Sequence, residues 1–541
     1  MSPGRLLVLL LAALSSESTA NPPEDTGQKF ILVFPENIAY YHPTASQNKV
    51  LITALYPDTK VTIKQHSFDT SDSTLEAGKS WEFDLDARME LKKFNPTKKL
   101  LLITSTKNIT VVAISLRNDS LQTALVTPFE KLGKEYLIPP TPTIPGTTDQ
   151  VSLAVTERNP FHLLIVSGDQ GATVTVEGAE TQEVSLEPST TAKMWVQEGA
   201  QLRTVTADQP VAVLFGHPCA LRHGCTCGLL YSPLPAARAA KLRFFIPPAL
   251  AEDAAEETFL LLSEKGSTKI KAFNPDSPEV EVTGTAALYR PGLLLPLIPE
   301  ADFASCFAVS PVSGVPGVPG VPGPKSFAVI VVHRDFTDGV RKGNLALDSP
   351  EWQKLKGTEF MSTSVELAQT DTVIWHTSSR MAVYLAGTMG EALFGNPAAI
   401  ISSSPDFRGC ALTPEVVEIG AVVSGWRESL KYCRDKNLEL ISMSNALVWP
   451  HIYKKIIQAK DEDVQEVWIG MRRSSQTGEW YWLNNDAVNN TKWEEGEPGT
   501  VHDGQCAIMS LKSDEDFGWR DEDCCKAAHP VCYSSPVLLS L

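Results

Sequence analysis

Cys219, Cys225 and Cys227 lie close together, with His217 and His223 among them. Thiolates and imidazoles are the side chains that hold zinc in a tetrahedral site. In an oxidising compartment the same thiols close disulfides instead. The start of the chain favours the second outcome. Arg5, an apolar run over residues 6–14 and the small residues Ser18-Thr19-Ala20 read as a secretory signal spanning residues 1–20. Cys219 is therefore expected to bond Cys225 or Cys227. A second cluster, Asp514-Glu515-Asp516 with Asp521-Glu522-Asp523, could gather Ca²⁺ weakly, but such a run reads first as a solvated loop. Catalytic motifs are missing: there is no Gly-x-Ser-x-Gly elbow, His-Glu-x-x-His helix or phosphate loop. Nothing assigns an acid, a base or a nucleophile, so the expectation is binding, not catalysis.

The elements that must position these residues fill a chain of 541 residues, enough for two to four domains. A hydrophobic content of 43% and a charged content of 21% describe a foldable globular protein. The net charge of -17, from 64 acidic and 47 basic residues, argues against a nucleic-acid partner, whose phosphates need a basic surface. The leader is too short to span a bilayer, and no later apolar run reaches that length. The expected location is extracellular, by secretion. Asn108, Asn118 and Asn489 each open a glycosylation sequon.

Residues 29–404 carry short alternating strand signals broken by Gly, Pro and Asp, with little helical periodicity. They also repeat. Phe30-Ile31-Leu32-Val33-Phe34-Pro35, Tyr136-Leu137-Ile138-Pro139-Pro140 and Phe244-Phe245-Ile246-Pro247-Pro248 read as equivalent unit starts. Residues 109–114, 210–215, 307–309 and 381–385 read as strands closing four units, each sandwich-like. Whether the units form beads or close on one another stays open. Three Val-Pro-Gly triplets at 315–323 read as a connection, too few for a collagen helix. The segment Val211-Ala212-Val213-Leu214-Phe215-Gly216-His217-Pro218-Cys219-Ala220, with Cys225, Cys227 and Phe245-Ile246-Pro247-Pro248, resembles the N-terminal domain of IgGFc-binding protein. That resemblance implies an extracellular binding domain over most of residues 30–400.

The last quarter has its own order: Trp468-Ile469-Gly470-Met471, Gly478-Glu479-Trp480-Tyr481-Trp482, Trp493, Glu497-Pro498-Gly499, Cys506, Trp519-Arg520-Asp521, Cys524 and Cys532. It resembles a C-type lectin-like domain from about Trp426 to Tyr533. Trp426, Leu430 and Cys433 fall on one helical face, as do Val448, Ile452 and Ile456, with Pro450 tolerable in a first turn. Trp468, Trp480 and Trp482 are expected in the core. The predicted architecture is mainly β: repeated β-sandwich-like units over residues 21–407, followed by an α+β lectin-like domain over 408–535.

The resemblance implies bridges Cys433–Cys532 and Cys506–Cys524. For the rest, Cys410 with Cys525 is one guess, leaving Cys306 for a cysteine of the β region. In sugar-binding relatives of the fold, calcium is held by a Glu-Pro-Asn motif, an acidic residue two before the third-strand cysteine and a Trp-Asn-Asp motif. Here Glu497 and Asp521 keep two of the five positions. Gly499, Gly504 and Arg520 stand at the others, with Asp503 beside Gly504. The reading is that Arg520 brings its charge into the cage and pairs with Asp521 or Glu497 in place of calcium. Ligand-binding candidates are Glu497, Asp503, Arg520 and Asp521, no metal or cofactor is expected, and the expected partner is a glycan or glycoprotein.

Overall fold

A computed structural model describes residues 24–539 except 40–42, 66–69, 93–95, 119, 143–160, 179, 197–202, 222–226, 253–256, 313–322, 369, 391, 501 and 513–516. Residues 1–20, read above as a secretory signal, together with His223, Cys225, most of the Val-Pro-Gly tract and Asp514-Glu515-Asp516, lie outside the described residues. The chain divides into two compact units at Cys410/Ala411.

The first unit is built from four β modules. Module one centres on a 17-residue strand, Leu101–Arg117 (β2), which pairs with four others along its length. Among them are Gly27–Leu32 (β1) and Ser120–Leu125 (β3). Module two has two four-stranded sheets. One of them holds Phe161–Ser167 (β4), Val211–Leu221 (β5) and Cys227–Pro233 (β6). Module three carries the hairpin Gly284–Arg290 (β7) and Leu293–Pro296 (β8). Module four has two five-stranded sheets that include Cys306–Val309 (β9), Met381–Met389 (β10), Ala392–Pro397 (β11) and Ala399–Ser402 (β12).

One expectation is corrected here. Phe307-Ala308-Val309 opens the fourth module; it does not close the third. β9 pairs with β12 and with Thr372–His376, both in module four. In module three the strand equivalent to residues 109–114, 210–215 and 381–385 is β7, the first strand of its final hairpin. Both segments are buried and apolar, so composition alone does not separate them.

The modules close on one another. Each has a hairpin at or near its end, and the last strands of those hairpins, β3, β6, β8 and β11, pack in a cycle: β3 on β6, β6 on β8, β8 on β11, β11 on β3. Every seam packs apolar side chains and carries at least one polar stitch. Between modules one and two, Ile31, Val33, Leu164 and Tyr231 cluster, and Leu229 N donates to Ser120 Oγ at 2.8 Å. Between two and three, Leu261 and Tyr289 join Phe215 and Leu230, and Ser263 Oγ donates to the Ile138 carbonyl at 3.3 Å. Between three and four, Leu295 and Phe303 pack with Val383 and Tyr384, and Ile298 N donates to Tyr384 Oη at 2.9 Å. Between four and one, Met389 and Phe394 meet Leu121 and Ile114. There Asp25 clasps Ile400: its amide donates to the Ile400 carbonyl at 2.7 Å, and its Oδ2 accepts the Ile400 amide at 2.9 Å. Burial of each apolar side chain contributes roughly 1.5–3 kcal/mol, so the seams and not the single stitches hold the ring.

Two disulfides lie in this unit, Cys219–Cys227 and Cys306–Cys410. The first uses the thiols that could have held zinc. His217 Nδ1 accepts the Cys219 amide at 3.1 Å, capping the local turn. The second overturns the Cys410–Cys525 guess: Cys306 at the head of β9 reaches Cys410, and Cys525 is an exposed free thiol.

The second unit is α+β. Helices Trp426–Asp435 (α1) and Trp449–Ala459 (α2) precede the strands Glu466–Arg473 (β13), Trp480–Trp482 (β14), Cys506–Ser510 (β15), Trp519–Glu522 (β16) and His529–Ser534 (β17). Pro450 sits in the first turn of α2, where no amide donor is lost. Ile452 and Ile456 face the core with Trp482 and Trp519. Disulfides join Cys433 to Cys532 and Cys506 to Cys524. Trp468 and Trp482 are fully buried, but Trp480 is only half-buried and packs on Trp493 at 4.9 Å between ring centres.

Candidate functional site

β16 alternates its side chains across the sheet, as any strand must. Trp519 and Asp521 point inward, whereas Arg520 and Glu522 point to the other face. The inward Asp521 carboxylate is 2% exposed. Its Oδ1 accepts the Gly499 amide at 2.9 Å, and its own amide donates to Glu497 Oε2 at 3.4 Å. The Glu497–Pro498 peptide is cis. A hydrogen bond between the carboxyl groups of Glu497 and Asp521, with burial second, raises the Glu497 pKa from its ordinary value.

The cation beside this pair is Arg473, the last residue of β13. Its side chain is 8% exposed. Nη2 donates to the Gly499 carbonyl at 2.8 Å, Nη1 lies 4.0 Å from Asp521 Oδ2, and the guanidinium stacks over Trp480 at 5.0 Å. A planar guanidinium suits this combination of carbonyl, carboxylate and aromatic face better than an ammonium does.

Arg520 is elsewhere, and the expectation that it enters the cage is corrected. Its Nη2 lies 2.5 Å from Glu466 Oε1 and 3.6 Å from Glu522 Oε2. Lys526 joins the same pair at 2.8 Å and 2.7 Å. Burial works to raise the Glu466 carboxyl, but the hydrogen bonds from Arg520 and Lys526 outweigh it and hold its pKa at about 2. Neighbours on one strand cannot share a face, so Arg520 and Asp521 cannot act on one ligand from within the sheet.

The two glycines fit tightly. A Cβ on Gly499 would stand 2.7 Å from Asp503 Oδ2, and one on Gly504 would stand 2.4 Å from the Glu522 amide nitrogen. Asp503 is turned toward Thr500, accepting its amide at 2.6 Å and its hydroxyl at 2.8 Å. Those hydrogen bonds lower the Asp503 pKa. The Arg473 guanidinium stands among the oxygens of Asp521 and the Gly499 carbonyl.

The region thus joins half-buried aromatic faces to fixed polar groups at the edge of an α+β domain. Residues 423–534 match the Lectin C-type domain model, and the C-terminal unit carries a C-type lectin domain. Upstream, residues 16–204 match the model described as IgGFc binding protein, and the β region resembles that family. Human IgGFc-binding protein is 24% identical over 483 residues, covering 79% of this chain and 8% of the relative's own length. The chain therefore spans a small part of that relative. C-type lectin lectoxin-Phi1 of Philodryas olfersii is 28% identical over 109 residues, 20% of this chain and 69% of the relative. Human lithostathine-1-beta is 29% identical over 109 residues, 20% of this chain and 64% of the relative. Among the described residues no helix is long and apolar enough to cross a membrane.

Proposed function

We propose that this chain is a secreted recognition protein that binds a glycan or glycoprotein through its C-type lectin domain, without the usual calcium-dependent sugar site. One observation carries the reading: Arg473 places a fixed positive charge against Asp521 and the Gly499 carbonyl, where calcium would need oxygen ligands. Ligand hydroxyls then meet Glu497 and Asp503 directly. Tyr481, 40% exposed, and the half-buried Trp480 and Trp493 add aromatic faces on which a sugar ring can lie. Binding supported by direct hydrogen bonds and stacking needs no divalent ion. The relative's name points to the Fc region of IgG as one glycoprotein to try.

The test is binding of the full chain to glycan and glycoprotein arrays, IgG included, in calcium and in EDTA. Equal binding in both conditions is expected, with loss on Glu497→Gln. Binding abolished by EDTA overturns the calcium-free site. Absence of any ligand favours the alternative, a structural component of mucus or matrix.

A further inference from the structure

The strand Val416–Ile419 forms an open edge of the lectin domain's sheet and pairs with β17 on one side only. Its register sets Val416 against Ser534 and Glu418 against Cys532, and the Gly420 amide donates to the Pro530 carbonyl at 2.8 Å. In an antiparallel pair every second residue turns its amide and carbonyl toward the neighbour. Here those residues are Val416, Glu418 and Gly420, so the backbone groups of Val417 and Ile419 point outward. Among the described residues no hydrogen bond reaches that outer edge.

Exposed edges usually carry charges, above all lysine, that discourage pairing with another chain. Other edge strands of this protein follow that rule. Ser267–Ala272 carries Lys269 and Lys271, Gln182–Leu186 carries Glu183, and Thr70–Leu75 is polar with Asp72. Val416–Ile419 instead holds three β-branched apolar residues, and its one charge, Glu418, is neutralised by Lys436 Nζ at 2.6 Å. Val417 and Ile419 pack inward on the core that holds Ile452 and Ile456. Exposed valines flank the strand at both ends. Val416 lies at its start, with Val537 paired to Thr413 just upstream, and Val422 and Val423 follow its end. All four are between 37% and 52% exposed.

We propose that Val416–Ile419 pairs antiparallel with the same strand of a second copy of this chain, extending the lectin-domain sheet across a two-fold axis. The outward amides and carbonyls of Val417 and Ile419 match a β-strand. A second copy supplies the strand whose surroundings fit. Antiparallel pairing lays the start of one strand beside the end of the other, so Val416 and Val537 of each copy meet Val422 and Val423 of its mate. That is the self-complementarity a two-fold interface needs. Like charges set directly opposite each other destabilise a pair of strands, and here each copy neutralises its own Glu418. The proposal does not rest on the ligand site. A dimer carries two lectin domains, which raises avidity for a surface of repeated ligands.

Sedimentation velocity of the full chain over about 1–100 µM tests the proposal. Every protein carries Cys525→Ser, so that a disulfide dimer through the exposed thiol is not counted. A dimer that dissociates on dilution is expected. Val416→Lys with Val423→Lys changes two exposed positions, should leave the melting temperature unchanged, and should weaken the dimer at least about tenfold. Hydrogen exchange read by mass spectrometry should be slower over residues 416–419 in the concentrated parent than in the dilute one. A chain still monomeric at about 100 µM overturns the proposal, even if another protein's strand takes the edge. So does a dimer that keeps its affinity in the folded lysine variant, or one that gains no protection in this strand.

Discussion

Arg473 and Asp521 face each other at 4.0 Å inside the lectin domain, each nearly closed off from solvent. Gly499 bridges them, giving its carbonyl to the arginine and its amide to the aspartate. The pair and the bridging peptide form one electrostatic unit. Arg473→Ala leaves the Asp521 carboxylate buried with its cation gone. Breaking such a pair costs about 3 kcal/mol. Urea unfolding followed by tryptophan fluorescence should show a lower midpoint at unchanged slope.

Gly499→Asn restores the amide oxygen that calcium-binding relatives of the fold use, yet it should not restore calcium. The new Cβ meets Asp503, and Arg473 still holds its place. The expected result is a loss of about 1–2 kcal/mol from overpacking and no calcium heat in a calorimetric titration. Micromolar calcium binding by this single variant would count against the role given to Arg473.

Asp25→Asn should raise the melting temperature at pH 8 and leave it unchanged at pH 4. The carboxyl has an ordinary value of 3.8 and titrates at about 7 in the folded ring. Between those values the folded state holds a proton that the unfolded state has lost. Stability is therefore full below about pH 4 and falls as pH rises through 7. Asparagine removes that loss, and a gain on the order of 2 °C at pH 8 is expected. A melting temperature equal to or below the parent's at pH 8 contradicts the buried-carboxylate reading.

Replacing Cys306 and Cys410 together by alanine should destabilise the first unit strongly. The bridge closes a loop with a sequence separation of 104 residues. Loop-closure entropy puts the upper limit at about 4–5 kcal/mol. Differential scanning calorimetry should resolve a downward shift confined to one of two transitions, with the lectin-domain transition unmoved.

Asn489 is exposed, whereas Asn108 is half-buried within β2. Its Nδ2 is 3.4 Å from Thr26 Oγ1. On expression in a secretory cell line, Asn489→Gln should remove one glycan's mass, read by mass spectrometry before and after deglycosylation. Asn108→Gln should remove none.

Much of the lectin domain was legible because its signals are local. Ile452 and Ile456 announce the buried face of α2, and Pro450 marks its first turn. The site was legible only in part. Placing Arg520 and Asp521 in one cage ignored the alternation of a strand. The same rule, carried back from buried Met471, would have pointed Arg473 inward two residues later. Repetition in the β region could be read from the three Pro-terminated starts, and Cys306-Phe307-Ala308-Val309-Ser310-Pro311 proves to be the fourth. Closure could not be read. The last seam joins Met389 and Phe394 to Leu121 and Ile114, with Asp25 meeting Ile400 beside it, and nothing in either neighbourhood names the other.

That clasp has a consequence for how the molecule is made. Asp25 and Ile400 are 375 positions apart. At roughly 5–20 residues per second, a ribosome needs about 20–75 s to deliver the second after the first. During that interval the flank of module one that will receive Phe394 and Met389 has no neighbour. Until its own far end arrives, a nascent chain leaves that greasy surface open to contact with other nascent chains.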